Sequence, residues 1–460
     1  MFGYGIGSMG QGASYKFVGS YFITYLVGCV YLDPKTASLI ASVALYVEAI
    51  AGILVGSLSD TCTSKMGRRR PFILASTIVV PIVLVCMTHT IHAGGSVKVI
   101  YYMFFAILFR VFFSVFDIPF GAFGTEIVQD YDGRTKLRTI SRLCGIAGNV
   151  VGYVIPVFLL GFFEGNEETG WQIIGIIVSV TVFVAFASAF IFTKGKGIVL
   201  SKENKVKKGN ILVDILKNYV GLLKLKPMKY MVVYKGCVMS ALSLYDVGMI
   251  WYLTLSLKQN NTNSALIYAV QIVVFLIATP VVRKLALMLG KAKAQLTTLF
   301  TCAAVGTFVF IVNPKNMYFG IVYLCVFSMM QTSFWQISYS MFDDCNEVDE
   351  WVNGRRREGN LSSMMSVLGT IVAAVMVQLF GIFLSASGYD AMLAEQAAST
   401  VNFINAEYIL MPSILCLIAG IAVILQPINK KRFDSLRAAL KARKEGEDYS
   451  QYMDDVNKLI

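Results

Sequence analysis

The chain has 460 residues, 56% of them hydrophobic and only 15% charged, which excludes an ordinary soluble domain, where about a quarter of residues carry charge. Its formal charge of +12 does not point to nucleic acid, because the lysines and arginines gather in alternate loops between long uncharged runs. That distribution sets the topology of a membrane protein and attracts anionic headgroups.

A helix rises about 1.5 Å per residue, so roughly 20 apolar residues cross the hydrocarbon core. About twelve such spans are predicted, near 8–31, 36–58, 72–92, 98–126, 141–163, 171–193, 230–256, 264–286, 295–313, 317–343, 362–386 and 405–427. The first span carries Lys16 beside Gly12 and Gly19, on one helical face. Its opening GYGIGSMGQG is glycine-rich, but no strand precedes it, so a nucleotide-binding loop is not read there. With no basic n-region and with Lys16 breaking the run, no cleavable signal peptide is expected.

The second span holds Glu48, followed at i+4 and i+8 by Gly52 and Gly56, a stripe suited to close helix packing. It runs into EAIAGILVGSLSDTCTSKMGRRRP, residues 48–71, whose Arg68, Arg69 and Arg70 cannot enter lipid and so place this loop in the cytoplasm. Asp60 stands where it can accept hydrogen bonds from a neighbouring helix start or pair with an arginine. The fourth span is the richest in polar groups, with Arg110, Ser114, Asp117 and Gly121 sharing one face. Arg142 follows in the fifth. Segment 194–229, with Lys194, Lys196, Lys202, Lys205, Lys207 and Lys208, is a basic linker near the midpoint.

The seventh span carries Lys235 and Asp246, eleven residues apart and on a common side. The tenth holds Trp335 and ends at Asp343 and Asp344, for which a gating ion pair with a loop arginine is expected. Ser362, Ser366 and Thr370 line the eleventh at four-residue spacing. After Pro427 comes a charged helical tail, read as solvated or facing headgroups. The basic loops, including Arg355 to Arg357, alternate with loops holding Asp33, Glu164, Glu167, Glu168, Asp390 and Glu395, which puts both termini in the cytoplasm. Residues 1–193 and 230–428 then form two six-helix halves, with 194–229 between them and 429–460 as the tail. Many secondary transporters follow this plan.

Charges inside spans are costly, so each is a functional candidate unless it forms a buried ion pair. Arg110 and Lys235 leave both readings open, whereas Glu48 and Asp117 sit deeper and are read as functional. A carboxylate there can take a proton or Na+, or accept hydrogen bonds from substrate hydroxyls, and a nearby Arg142 could tune it. Nine scattered cysteines without a CxxC pair read as small buried hydrophobes, and two histidines, His89 and His92, are too few for a His-based metal site. No GxxxxGK[ST], HExxH or nucleophile elbow is present, so an enzyme is not expected and no cofactor or metal is implied.

Four ordered motifs carry a resemblance: YGIGSMG at the start, GSLSDTCTSKMGRRRPF, FDIPFGAF (116–123) with Arg142 downstream, and DDCNEVDEWVNGRRREG (343–359). Together they resemble the glycoside–pentoside–hexuronide:cation symporters, a melibiose-carrier-like branch of the major facilitator superfamily. The second motif is also similar to plant-type sucrose symporters. The resemblance covers essentially the whole chain and implies an all-α fold of twelve transmembrane helices, alternating access and a substrate site between two halves. It implies that Asp117 and Arg142 hold sugar hydroxyls, that Trp335 is the helix-ten tryptophan, and that Glu48 and Ser114 serve the coupling cation. The chain departs from the pattern at Gly12, where a sugar-binding acid is expected, at Ala51 and Gly52 in place of an asparagine and a second helix-two acid, at Gly121 in place of an aromatic, and at Thr370 in place of a lysine. Lys16 has no counterpart in it.

With one helix-two acid gone, too few oxygen ligands remain for Na+, which favours a proton. The expectation is therefore a plasma-membrane symporter of a sugar or glycoside, monomeric in the bilayer. Its substrate candidates are Asp117, Arg142, Trp335, Lys16 and Thr370, its coupling candidates Glu48 and Ser114, and its gating candidates Asp60, Arg68, Arg69, Asp344, Arg356 and Glu358. The alternatives are an uncoupled facilitator, in which Lys16 acts as a built-in cation, and a symporter for a uronide or an anionic non-sugar.

Overall fold

A computed structural model describes residues 1–128, 131–195, 211–354, 358–393 and 395–459, and among these every regular element is helical. The first elements are α1 (Phe2–Gly28), α2 (Pro34–Thr61), α3 (Arg70–Thr88) and α4 (Gly95–Ile127). Next, α5 (Tyr131–Asn149) widens into a π turn at Val150–Val154 and continues as α6 (Ile155–Leu160), and α7 (Glu167–Phe192) follows. After α8 (Ile211–Leu223) come α9 (Lys226–Trp251), with a π turn at Tyr252–Ser256, α10 (Asn261–Leu289) and α11 (Lys291–Val312). Then α12 (Met317–Asn353) and α13 (Glu358–Ala386) precede α14 (Ala398–Asn405), a π turn at Ala406–Leu410 and α15 (Met411–Leu425). The tail forms α16 (Lys430–Glu445) and the single-turn α17 (Met453–Asn457).

Joined through their π turns, these make the twelve long helices that hydropathy predicts, and eleven of the described segments are long and apolar enough to cross a membrane. The remaining long helix is α1, whose glycines, serines and tyrosines dilute its apolar content. Lipid-exposed spans must be helical because only a helix pairs its own backbone groups without water. Both faces of α3 are accordingly apolar: Val80, Val83, Leu84 and Met87 are buried, while Ile78 and Ile82 stand out on the opposite side.

Local signals set the ends. Asp33 caps α2 through the amide of Lys35, with Pro34 in the first turn, and Asn316 caps α12 through the amides of Tyr318 and Phe319. Gly354 closes α12 at φ 69°, a left-handed conformation that glycine adopts without strain. Two of the π turns precede Pro156 and Pro412, whose missing N–H removes a helical hydrogen bond.

The contacts gather the chain into two compact units. One holds Met1–Lys207, Asp246–Ile272 and Ala373–Asn405, the other Lys208–Tyr245, Val273–Val372 and Ala406–Ile460, so the division cuts α9, α10 and α13 partway along. In the first unit α1 packs on α5 and α7, α2 on α4, and α3 on α4 and α7. The α1–α5 crossing is backbone against backbone: a Cβ at Gly148 or Gly152 would run into the carbonyls of Met9 or Ala13. In the second unit α11 packs on α12 and α15. There the tail is docked rather than free, since Leu436, Ala439, Leu440, Val456 and Leu459 bury an apolar face against Val348, with Trp351 alongside. Lys444 pairs with Glu350 at 2.6 Å.

Candidate functional site

The polar face of α4 meets α2 and α1 inside the first unit. Arg110 Nη1 donates to Glu48 Oε2 at 3.1 Å, and both side chains are largely buried, so the pair answers the cost of each charge. Its guanidinium lies 5.8 Å from the Tyr15 ring of α1. Two turns further along α4, Asp117 accepts a hydrogen bond from the side-chain amide of Gln11 on α1. Ser114, between them on the same helix, is buried. Beside this face, Ile118 fills the notch left by the α2 glycines, 3.3 Å from where a Cβ on Gly52 would sit.

Lys16 turns to neither acid. Its Nζ donates to both carboxylate oxygens of Asp246 on α9, at 2.9 and 2.7 Å, and lies 5.2 Å from the centre of the Tyr153 ring. Gly12, one turn earlier, is pressed toward α5: a Cβ there would come within 2.6 Å of the Gly145 carbonyl oxygen. No acid fits at that position.

Arg142 stands exposed on α5 and makes no ion pair or hydrogen bond among the described residues, so it does not meet Asp117. One turn before it, Arg138 borders a cavity of about 230 Å³ that Tyr4, Gln11, Gly121 and Ser141 also line. Gly121, where the resemblance expects an aromatic, opens onto this cavity, with nothing within 4 Å of a Cβ there. In the second unit Trp335 is 38% exposed on α12, and Thr370 on α13 donates to the carbonyl of Ser366.

Of the gating candidates, Asp60 pairs with Arg69, which also donates to Ser59 Oγ at 2.6 Å and to Glu126 Oε1 at 3.2 Å. Arg68 reaches the same Glu126 oxygen at 2.7 Å. Asp344 pairs with Lys291 of α11 at 3.0 Å, where a loop arginine is expected from the sequence. Arg356 and the side chain of Glu358 lie outside the described residues.

Sequence reasoning misses Gln11, Glu126 and Lys291, which are ordinary polar residues until a neighbouring helix presents a charge. It also misses Glu407, in the π turn before α15. That side chain is 1% exposed and neither of its oxygens has a hydrogen-bond partner among the described residues. Its signal is a lone acid at the start of the last apolar run, easily taken for a helix-end residue. No cluster of His, Cys, Asp and Glu among the described residues has the geometry of a metal site.

Residues 3–430 match the family described as MFS/sugar transport protein. The chain is 24% identical over 433 residues to the inner membrane symporter YicJ of Escherichia coli (strain K12), covering 91% of this chain and 89% of that protein. It is 21% identical over 452 residues to the glucuronide carrier protein homolog of the same organism, covering 96% and 95%. The solved structure of the nucleoside transporter NupG superposes with a TM-score of 0.68 at 11% identity, over 92% of this chain and 98% of that one. At that identity the likeness shows a shared fold.

Proposed function

The chain belongs to the MFS/sugar transport protein family, and on that premise we propose that it carries a sugar or glycoside across the plasma membrane by alternating access, driven by a proton gradient. The observation that carries the mechanism is the different partnering of two acids near one helix face. Glu48 holds a cation, and Asp117 holds a neutral amide.

A carboxylate has about four lone-pair sites, so Asp117 keeps acceptors for sugar hydroxyls beside Gln11. Exchanging an amide donor for a hydroxyl donor keeps the buried oxygen satisfied and costs little net free energy. Glu48 differs, because its charge and that of Arg110 are mutually compensated. A proton on Glu48 removes the attraction that holds Arg110, and the freed guanidinium biases the packing of α2 against α4. Na+ would need several oxygen ligands, and one turn beyond Glu48 the chain has only Gly52. Lys16 and Asp246, already a closed pair, act as a structural tie between α1 and α9 rather than as substrate contacts. The ion pairs around Asp60, Arg69 and Glu126 form and break with each cycle. The basic loops set both termini in the cytoplasm, and a monomer in the bilayer is the working unit.

An uncoupled facilitator is the second reading, favoured by Arg110 itself, which gives Glu48 a resident counter-ion in place of an exchangeable one. Purified protein in proteoliposomes under an imposed pH gradient separates the two, using a panel of methyl glycosides. Under the coupled reading, accumulation collapses with a protonophore and in Glu48→Gln, while downhill exchange persists in both. Uptake indifferent to the protonophore selects the facilitator.

A further inference from the structure

Among the described residues, most cations set inside the helical bundle come with carboxylates; Arg70 instead donates to the carbonyl oxygen of Phe190 at 2.8 Å, and one cation has neither. Lys16 has Asp246, Arg110 has Glu48, and Arg69 has Asp60 and Glu126. Lys235, on the part of α9 in the second unit, is 4% exposed and makes no ion pair or hydrogen bond among the described residues. Its ammonium sits instead among four rings of α12. The ring centres lie 4.9 Å away for Phe334, 5.6 Å for Trp335, 5.5 Å for Tyr339 and 5.6 Å for Phe342. Behind it, α13 packs directly on the lysine stem, with Lys235 Cε 3.5 Å from where a Cβ on Gly369 would sit.

Ring faces attract a cation but carry no net charge, so the cage softens the burial of Lys235 without neutralising it. The cage is open on one side: Phe334 and Phe342 are buried, whereas Trp335 and Tyr339 are exposed. An aromatic wall beside an unneutralised ammonium is the chemistry that takes a ring bearing an anion, the ring stacking and the anion pairing.

We propose that Lys235, in the cage of Phe334, Trp335, Tyr339 and Phe342, anchors the carboxylate of an acidic sugar, a uronide whose ring lies against Trp335. This rests on the transport reading above and narrows its substrate class. It also moves substrate selection to α9 and α12, because Lys16, one of the substrate candidates from the sequence, is neutralised by Asp246.

The test compares uptake of methyl β-glucuronide and methyl β-glucoside by the full chain in phosphatidylcholine vesicles, for wild type, Lys235→Met and Lys235→Arg. The inference expects wild type to favour the glucuronide. Losing one charge-assisted contact should cut the glucuronide-to-glucoside ratio at least about tenfold in Lys235→Met, and Lys235→Arg should keep most of it. A structural role would lower both substrates in proportion and leave the ratio unchanged, which overturns the inference. Transport of the glucoside in preference to the glucuronide overturns it while leaving the sugar reading intact, and transport of neither sinks both. Repeating the comparison with phosphatidylglycerol added identifies a lipid headgroup as the anion, against the inference, if Lys235→Met matters only in those vesicles.

Discussion

At the scale of single residues, the charges in the apolar helices sort by what answers them. Lys16 and Asp246 share two short hydrogen bonds while both remain partly buried, so removing one partner strands the other. Asp246→Asn should destabilise the protein by about 1–3 kcal/mol, below the loss expected for a fully buried pair because some solvent reaches this one. Thermal unfolding in detergent should show the double change Lys16→Met with Asp246→Leu to be more stable than Asp246→Asn alone. Equal losses in both would mean that the pair carries no coupling. Glu407 presents the opposite case, a buried carboxyl whose oxygens have no hydrogen-bond partner among the described residues. Glu407→Leu should leave the midpoint unchanged or raise it, and a loss above about 2 kcal/mol would mean the acid has a partner that stabilises it.

Helix packing turns on a few glycines rather than on the glycine content as a whole. Gly148 and Gly152 lie where α5 and its π turn cross α1, and a Cβ at either would meet backbone, which cannot rotate away. Gly152→Ala should therefore cost about 1–3 kcal/mol through overpacking. Gly19→Ala, on a helix position with nothing within 4 Å of the added atom, should cost nothing. Similar midpoints for the two variants would show that the crossing is looser than its geometry. The same crossing accounts for Gly12, because the approach of α5 removes the space an acid would need.

For the molecule as a whole, the tail and the membrane orientation are the open quantities. The tail reads from its charge as a solvated helix, yet α16 and α17 bury an apolar face on the end of α12. Deleting residues 430–459 should lower the unfolding midpoint by several degrees through exposure of Val348 and Trp351, and no change would mean that the docking is incidental. The basic loops predict a cytoplasmic C-terminus: a single cysteine at Lys458 in a cysteine-free background should react with a membrane-impermeant maleimide only after the cytoplasmic face is opened, and labelling of sealed cells would reverse that orientation.

Hydropathy and spacing were enough to locate the twelve helices, the acids Glu48 and Asp117, and the motifs that carry the family resemblance. These are local properties: a span declares itself by its run of apolar residues, because lipid leaves an exposed backbone no alternative to a helix. Pairing was not legible. Glu48 meets Arg110 across 62 residues and Lys16 meets Asp246 across 230, and nothing in the spacing along one helix says which neighbour will present the counter-charge. Arg142 shows the same limit in reverse, since the resemblance places it in one site with Asp117 and yet it stays exposed while Gln11 takes the hydrogen bond to Asp117. Tertiary structure decided these matters because electrostatic compensation acts over a few ångströms in space, and helix packing alone determines which distant residues come that close.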